Sequence, residues 1–100
     1  MKSRAYKLNG KTFRYDYEAG QVEYIYKASR EQIKEEQEWI RDHGYPLYEI
    51  DEHGYSVVET VGLRAENWKN KAARDEYLYG WCFELDEEAA YLADQYLRYG

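Results

Sequence analysis

The chain has one cysteine, one proline and one methionine in 100 residues. With Cys82 alone, neither a disulfide framework nor a cysteine-based zinc site can form within it, and a reducing, cytoplasmic setting is the expectation. No apolar run approaches the ~20 residues that cross a bilayer. Met1-Lys2-Ser3-Arg4 leads into alternating polar and aromatic residues, not the apolar core of a signal peptide. Tracts rich in Pro, Ser or Gly are absent, so little disorder is expected. The sequence also lacks G-x-x-x-x-G-K-S/T, G-x-G-x-x-G and H-E-x-x-H, and with them the usual signatures of phosphate, dinucleotide and zinc-protease chemistry.

What is present is 44% hydrophobic and 34% charged residues. That suffices for one modest core, so residues 1–100 read as a single α+β domain of two packed layers. The net charge of −6 is unevenly distributed. Residues 1–27 carry six basic and three acidic side chains, whereas residues 28–100 carry eight basic and seventeen acidic. Glu31 to Glu59 holds nine acids against Lys34 and Arg41, and Asp75 to Leu97 holds seven with no Lys or Arg. Phosphate binding needs clustered cations, so direct nucleic-acid binding is not expected. The balance suits a basic partner, whose approach an acidic field accelerates.

Residues 4–27 read as a three-stranded meander. Asn9-Gly10 is a strong two-residue hairpin signal, because a type I′ turn needs positive φ at both central positions. It pairs Leu8 with Lys11 and Tyr6 with Phe13. A second turn at Ala19-Gly20 would pair Tyr17 with Val22, Tyr15 with Tyr24 and Phe13 with Tyr26. Both registers place Tyr6, Phe13, Tyr15, Tyr17, Val22, Tyr24 and Tyr26 on one face. The other face, with Arg14, Asp16, Glu23 and Ile25, reads as largely solvated, and Asp16 would oppose Glu23 in a like-charge pair.

Ser29 with Gln32 fits a capping box opening a first helix, which Gly44 and Pro46 end. Tyr45 to Asp51 and Tyr55 to Val61 then read as a second hairpin around Glu52-His53-Gly54. In the last third, apolar residues from Trp68 to Tyr96 recur at helical steps. Asp86 before Glu87-Glu88 looks like an N-cap, so helices are expected over about 66–85 and 87–99, with a single kinked helix as the alternative. Tyr77–Phe83 is also rich in strand formers, which leaves a strand there as the competing reading. The order βββ-α-ββ-αα predicts an antiparallel sheet, meander plus hairpin, packed against about three helices.

Catalytic and metal constellations are thin. His43 and His53 lie in the echoes Asp42-His43-Gly44-Tyr45 and Glu52-His53-Gly54-Tyr55, at element boundaries and without metal-site spacing. Asp51, His53 and Ser56 supply the letters of a triad, but on a tight hairpin they point to alternating faces, and no oxyanion-donor loop is evident. Cys82 between Trp81 and Phe83 reads as a core thiol. Glu35-Glu36, Asp51-Glu52 and Glu87-Glu88 read as solvated pairs, not as a glycosidase couple in a cleft. No catalytic residue, metal or cofactor is therefore expected.

Thirteen tyrosines exceed what one small core can absorb. Tyr buries large area at low rotamer cost and is common at protein-binding hot spots. Tyr among carboxylates, as in Glu76-Tyr77-Leu78-Tyr79, suits Arg or Lys, which can stack on the ring while bonding an acid. The expectation is a small acidic, non-catalytic protein-binding module facing a basic surface of another protein. In its sharpest form it is an inhibitor that occupies a nucleic-acid-binding groove by mimicking phosphate charge, in the manner of an anti-CRISPR or anti-restriction protein; the likeness is one of size and charge, with no shared motif. The expected partner-binding residues are Asp75, Glu76, Tyr77, Tyr79, Glu84, Asp86, Glu87, Glu88 and Asp94, with Glu35, Glu36 and Glu38 second. The alternative is a self-associating structural or regulatory domain with an aromatic dimer interface.

Overall fold

The computed structural model describes residues 4–99, with side chains as far as Leu92. The elements are β1 (Tyr6–Leu8), β2 (Lys11–Asp16), β3 (Gln21–Lys27), α1 (Arg30–His43), β4 (Tyr55–Gly62), α2 (Ala65–Lys69) and α3 (Lys71–Tyr99). The strands form one antiparallel sheet in the order β1-β2-β3-β4. The class is α+β, with the order βββ-α-β-αα among the described residues: four strands where five were expected.

The first turn forms as its residues dictate. Asn9 (φ 51°) and Gly10 (φ 75°) both take positive φ, and Leu8 pairs with Lys11 and Tyr6 with Phe13. The second turn corrects the expected register by two residues: Tyr15 faces Val22 and Phe13 faces Tyr24. The reason is the Asp16 side chain, whose Oδ1 accepts from the Glu18 and Ala19 amides while Gly20 donates to the Asp16 carbonyl. This local bonding makes Tyr17–Gly20 the turn. A shift of two preserves which face each residue occupies. It also removes the expected Asp16–Glu23 repulsion, because Glu23 now faces Arg14.

On one face, Phe13, Tyr15 and Val22 bury against Trp68, Leu78, Trp81, Cys82 and Leu85. Trp68 stacks on Tyr15 at 5.3 Å between ring centroids, and Trp81 lies 5.4 Å from Phe13. Positions 78, 81, 82 and 85 recur with helical spacing, and that stripe, not strand propensity, decides the state of Tyr77–Phe83. The helix break is also corrected. It falls at Asn70, whose side chain accepts from the Ala73 amide and opens α3. Asp86 caps nothing; α3 continues through it and through Gly80.

The opposite face is covered, not solvated: Arg14 is 3% exposed, Glu23 6% and Ile25 1%. Arg14 Nε donates to Glu23 Oε1 at 2.9 Å and Nη1 to Asp51 Oδ2 at 2.6 Å. The Tyr55 ring lies beside the guanidinium. Asp51 reaches this face from the segment between α1 and β4. Tyr45–Asp51, expected as a strand, pairs with none. The buried Glu36 carboxylate of α1 accepts from the Leu47, Tyr48 and Ile50 amides, and the Tyr48 carbonyl accepts from Ser56 Oγ. A carboxylate has taken the donors that a strand ladder would have used. The Ser29/Gln32 capping box and the left-handed Gly44 that bound α1 form as read.

Asp51 links this face to pH. Burial alone would raise its carboxyl, but the Tyr55 amide, Arg14 and the His53 amide outweigh it and hold the group below the usual carboxylate range. A depressed folded value stabilises the fold above the ordinary carboxylate pKa and loses that contribution as pH falls through the depressed value. Thermal midpoints should therefore fall below about pH 4, and Asp51→Asn should flatten that acid limb. An unchanged acid limb in the variant would remove Asp51 from the account.

Candidate protein-binding surface

At about 100° per residue, the buried stripe of α3 leaves the rest of the helix to carry its acids around the open arc. They do not form one patch. Asp75 and Asp86 lie on the flank toward β1 and β2 and are neutralised there. Asp75 pairs with Lys71 at 2.7 Å and accepts from the Tyr6 hydroxyl; Lys71 and then Tyr6 hold its carboxyl below the usual range. Asp86 accepts from Lys11 at 2.5 Å, and that bond raises the Lys11 ammonium above its ordinary value. Both acids join the helix to the N-terminal hairpin, so their charge is spent internally. Asp94 lies outside the residues whose side chains are described.

Glu76, Glu84, Glu87 and Glu88 remain exposed, and among the described residues none has a basic partner within ion-pair distance. Tyr77 hydrogen-bonds the Gly62 carbonyl at 3.3 Å, which turns its flank of the helix toward β4. Glu84 and Glu88 share that flank. Tyr79 and Phe83, one turn apart, stand out from the helix at 55% and 66% exposure. Phe83 was not among the expected site residues. Its position off the 78-81-82-85 stripe was the available signal.

Two recesses open between α3 and β4. One, of about 260 Å³, is lined by Val61, Glu76, Tyr77, Gly80, Trp81 and Glu84. The other, of about 420 Å³, lies where the helix leaves the sheet, with Tyr24, Val58, Glu59, Leu85, Glu88, Ala89 and Leu92 among its walls.

The second acidic stretch does not join this surface. Glu36 is buried in its amide cradle, and Glu35 accepts from the Tyr48 hydroxyl, which raises that phenol. Only Glu38 of the three stands exposed without such a role. The bonds of Glu35 and Glu36 run to the segment between α1 and β4, whereas α3 packs on the Phe13 face.

The other sequence candidates have local roles. His43 stacks on Trp39 at 3.8 Å, with Nδ1 3.2 Å from the Trp39 carbonyl. Ser56 is buried and bonded to Tyr48, with His53 exposed in the turn. Cys82 is fully buried, and burial pushes its thiol up. Among the described residues, no three His, Cys, Asp or Glu side chains gather as a metal site, and no helix is long and apolar enough to cross a membrane. No protein-family model, curated protein or solved structure matches the chain.

Proposed function

We propose that this chain is a cytoplasmic, non-catalytic protein-binding module whose α3 offers carboxylates and aromatic rings to a basic surface of another protein. The observation that carries the reading is the coexistence, on the open arc of α3, of exposed Glu76, Glu84, Glu87 and Glu88 with exposed Tyr79 and Phe83. Fold-holding acids are accounted for elsewhere, and among the described residues these four make no ion pair. Acids beside rings suit Arg, which stacks and pairs at once. A net charge of −6 supports rapid encounter with a cationic partner. The sharpest form is inhibition of a nucleic-acid-binding protein by occupying its phosphate-binding groove, as small acidic anti-CRISPR and anti-restriction proteins do. Asp75, Asp86 and Glu36 drop out of the binding set because the fold uses them.

The test is capture of basic proteins from a host lysate by the immobilised chain. Replacing Glu84, Glu87 and Glu88 together with Lys should abolish capture while circular dichroism stays native, and added salt should release the wild-type partner. Capture that survives the triple reversal overturns the reading. The exposed Tyr79–Phe83 pair also supports the second reading, self-association through aromatics. Light scattering separates the two, because an aromatic dimer persists at high salt.

A further inference from the structure

The two ends of the sheet differ. β1 is three residues long, whereas β4 runs for eight and its outer edge pairs with no strand among the described residues. An open edge offers backbone donors and acceptors that an extended chain can satisfy; here the Gly62 carbonyl already accepts from the Tyr77 hydroxyl. A bulge at Val58 interrupts the strand, since Tyr24 faces Glu59 and Ile25 faces Val57. Glu59–Gly62 beyond it is regular. Within that stretch, Glu59 and Val61 face Tyr24 and Val22, on the α3 side of the sheet.

We propose that an extended segment of a partner adds beside Glu59–Gly62 as a fifth strand, with a cationic side chain in the recess at Gly80 and an apolar one in the recess at Val58. Residues of such a strand opposite Val61 and Glu59 are two apart and point to the α3 face, about 6.6 Å from each other. Each meets one of the two recesses. At the first, Glu76 and Glu84 stand one turn either side of Gly80, with the Tyr77 and Trp81 rings alongside. A Cβ at Gly80 would touch nothing within 4 Å, so the glycine leaves open space between the acids. Two carboxylates and two rings around a gap select Lys or Arg. At the second, Val58 (55% exposed), Leu85, Ala89 and Leu92 supply apolar walls, with Glu59, Glu88 and the Lys11–Asp86 pair also lining it.

Charge argues against a second copy as occupant. β4 reads YSVVETVG, with one acid and no cation. A symmetric β4–β4 seam would bring Glu59, Glu84 and Glu88 of both copies together and leave the Gly80 recess without a positive group. The inference rests on the proposed function only for the sign of the partner's charge.

The test uses the full chain, isotope-labelled, titrated with a peptide of Thr-Lys-Thr-Val repeated twice. Three controls accompany it: Glu in place of Lys, N-methylation of the edge-facing amides, and the Glu84→Lys chain, whose exposed substitution leaves the fold measurable by dichroism. Amide shifts at Glu59–Gly62 and Gly80 are expected. Binding should weaken about tenfold or more in Glu84→Lys and vanish for both altered peptides. Absence of those shifts, equal binding of the Glu peptide, or undiminished binding of the N-methylated peptide overturns the proposal. So do β4 shifts that grow with protein concentration alone alongside a doubled sedimentation mass, which assign the edge to a second copy. Capture lost on triple charge reversal, with no response to the peptide, leaves the α3 reading standing and removes the edge site. Peptide bound at β4, with capture indifferent to the reversal, does the opposite.

Discussion

Arg14→Ala should lower folding stability by about 3–5 kcal/mol, the cost of removing one partner from a buried ion pair. The guanidinium lies 2.9 Å from Glu23, and both side chains are almost wholly out of water. Truncation leaves that carboxylate in a low-dielectric layer. Asp51 suffers less, because the His53 and Tyr55 amides also bond it. The pair is nevertheless a poor source of net stability. Arg14 Nη2 is buried without a hydrogen-bond partner, and desolvating two charges offsets most of their attraction. The double variant Arg14→Met with Glu23→Leu should therefore recover most of the loss. Urea unfolding of the three proteins measures both effects; a loss below about 1 kcal/mol for Arg14→Ala would show the pair to be solvated.

Trp81→Ala should cost about 3–5 kcal/mol, as large-to-small core changes do, against a total of about 5–15 for a domain. Trp81 is where α3 meets the sheet, its ring against Phe13 and Tyr24. Phe83→Ala, two residues on, should change stability by no more than about 0.5 kcal/mol, because Phe83 faces solvent. The contrast also tests the secondary structure. In a helix the two side chains diverge by about 200°, whereas in a strand they would share a face and respond alike. Similar losses for both would restore the strand reading of Tyr77–Phe83.

The parts of this fold legible in the sequence were those set by local stereochemistry. Asn9-Gly10 dictated the first hairpin, and Ser29 with Gln32 and Gly44 bounded α1. The second hairpin was misread by two residues because the Asp16 side chain, not the Ala19-Gly20 pair, chose the turn length. Tyr45–Asp51 has the alternation of a strand, but Glu36, more than ten residues away, intercepts its amides. Asp86 resembles an N-cap because it precedes two acids, yet Lys11 claims it across 75 residues. The candidate site suffered from the same blindness. Acids can be counted from sequence, but which of them the fold consumes depends on partners such as Lys11 and Tyr6 that only tertiary packing brings near. Among the described residues, no ion pair from a distant element reaches Glu84, Glu87 or Glu88.

The Glu36 cradle gives segment 45–51 an unusual mode of opening. A strand would fray one rung at a time from its end. Here three amides depend on one side chain, so Leu47, Tyr48 and Ile50 should exchange their hydrogens at a common rate, released together when the carboxylate swings away. Glu36→Gln should speed all three in unison while leaving the amides beneath Trp81 untouched. The segment then behaves as a hinged shutter with a single clasp.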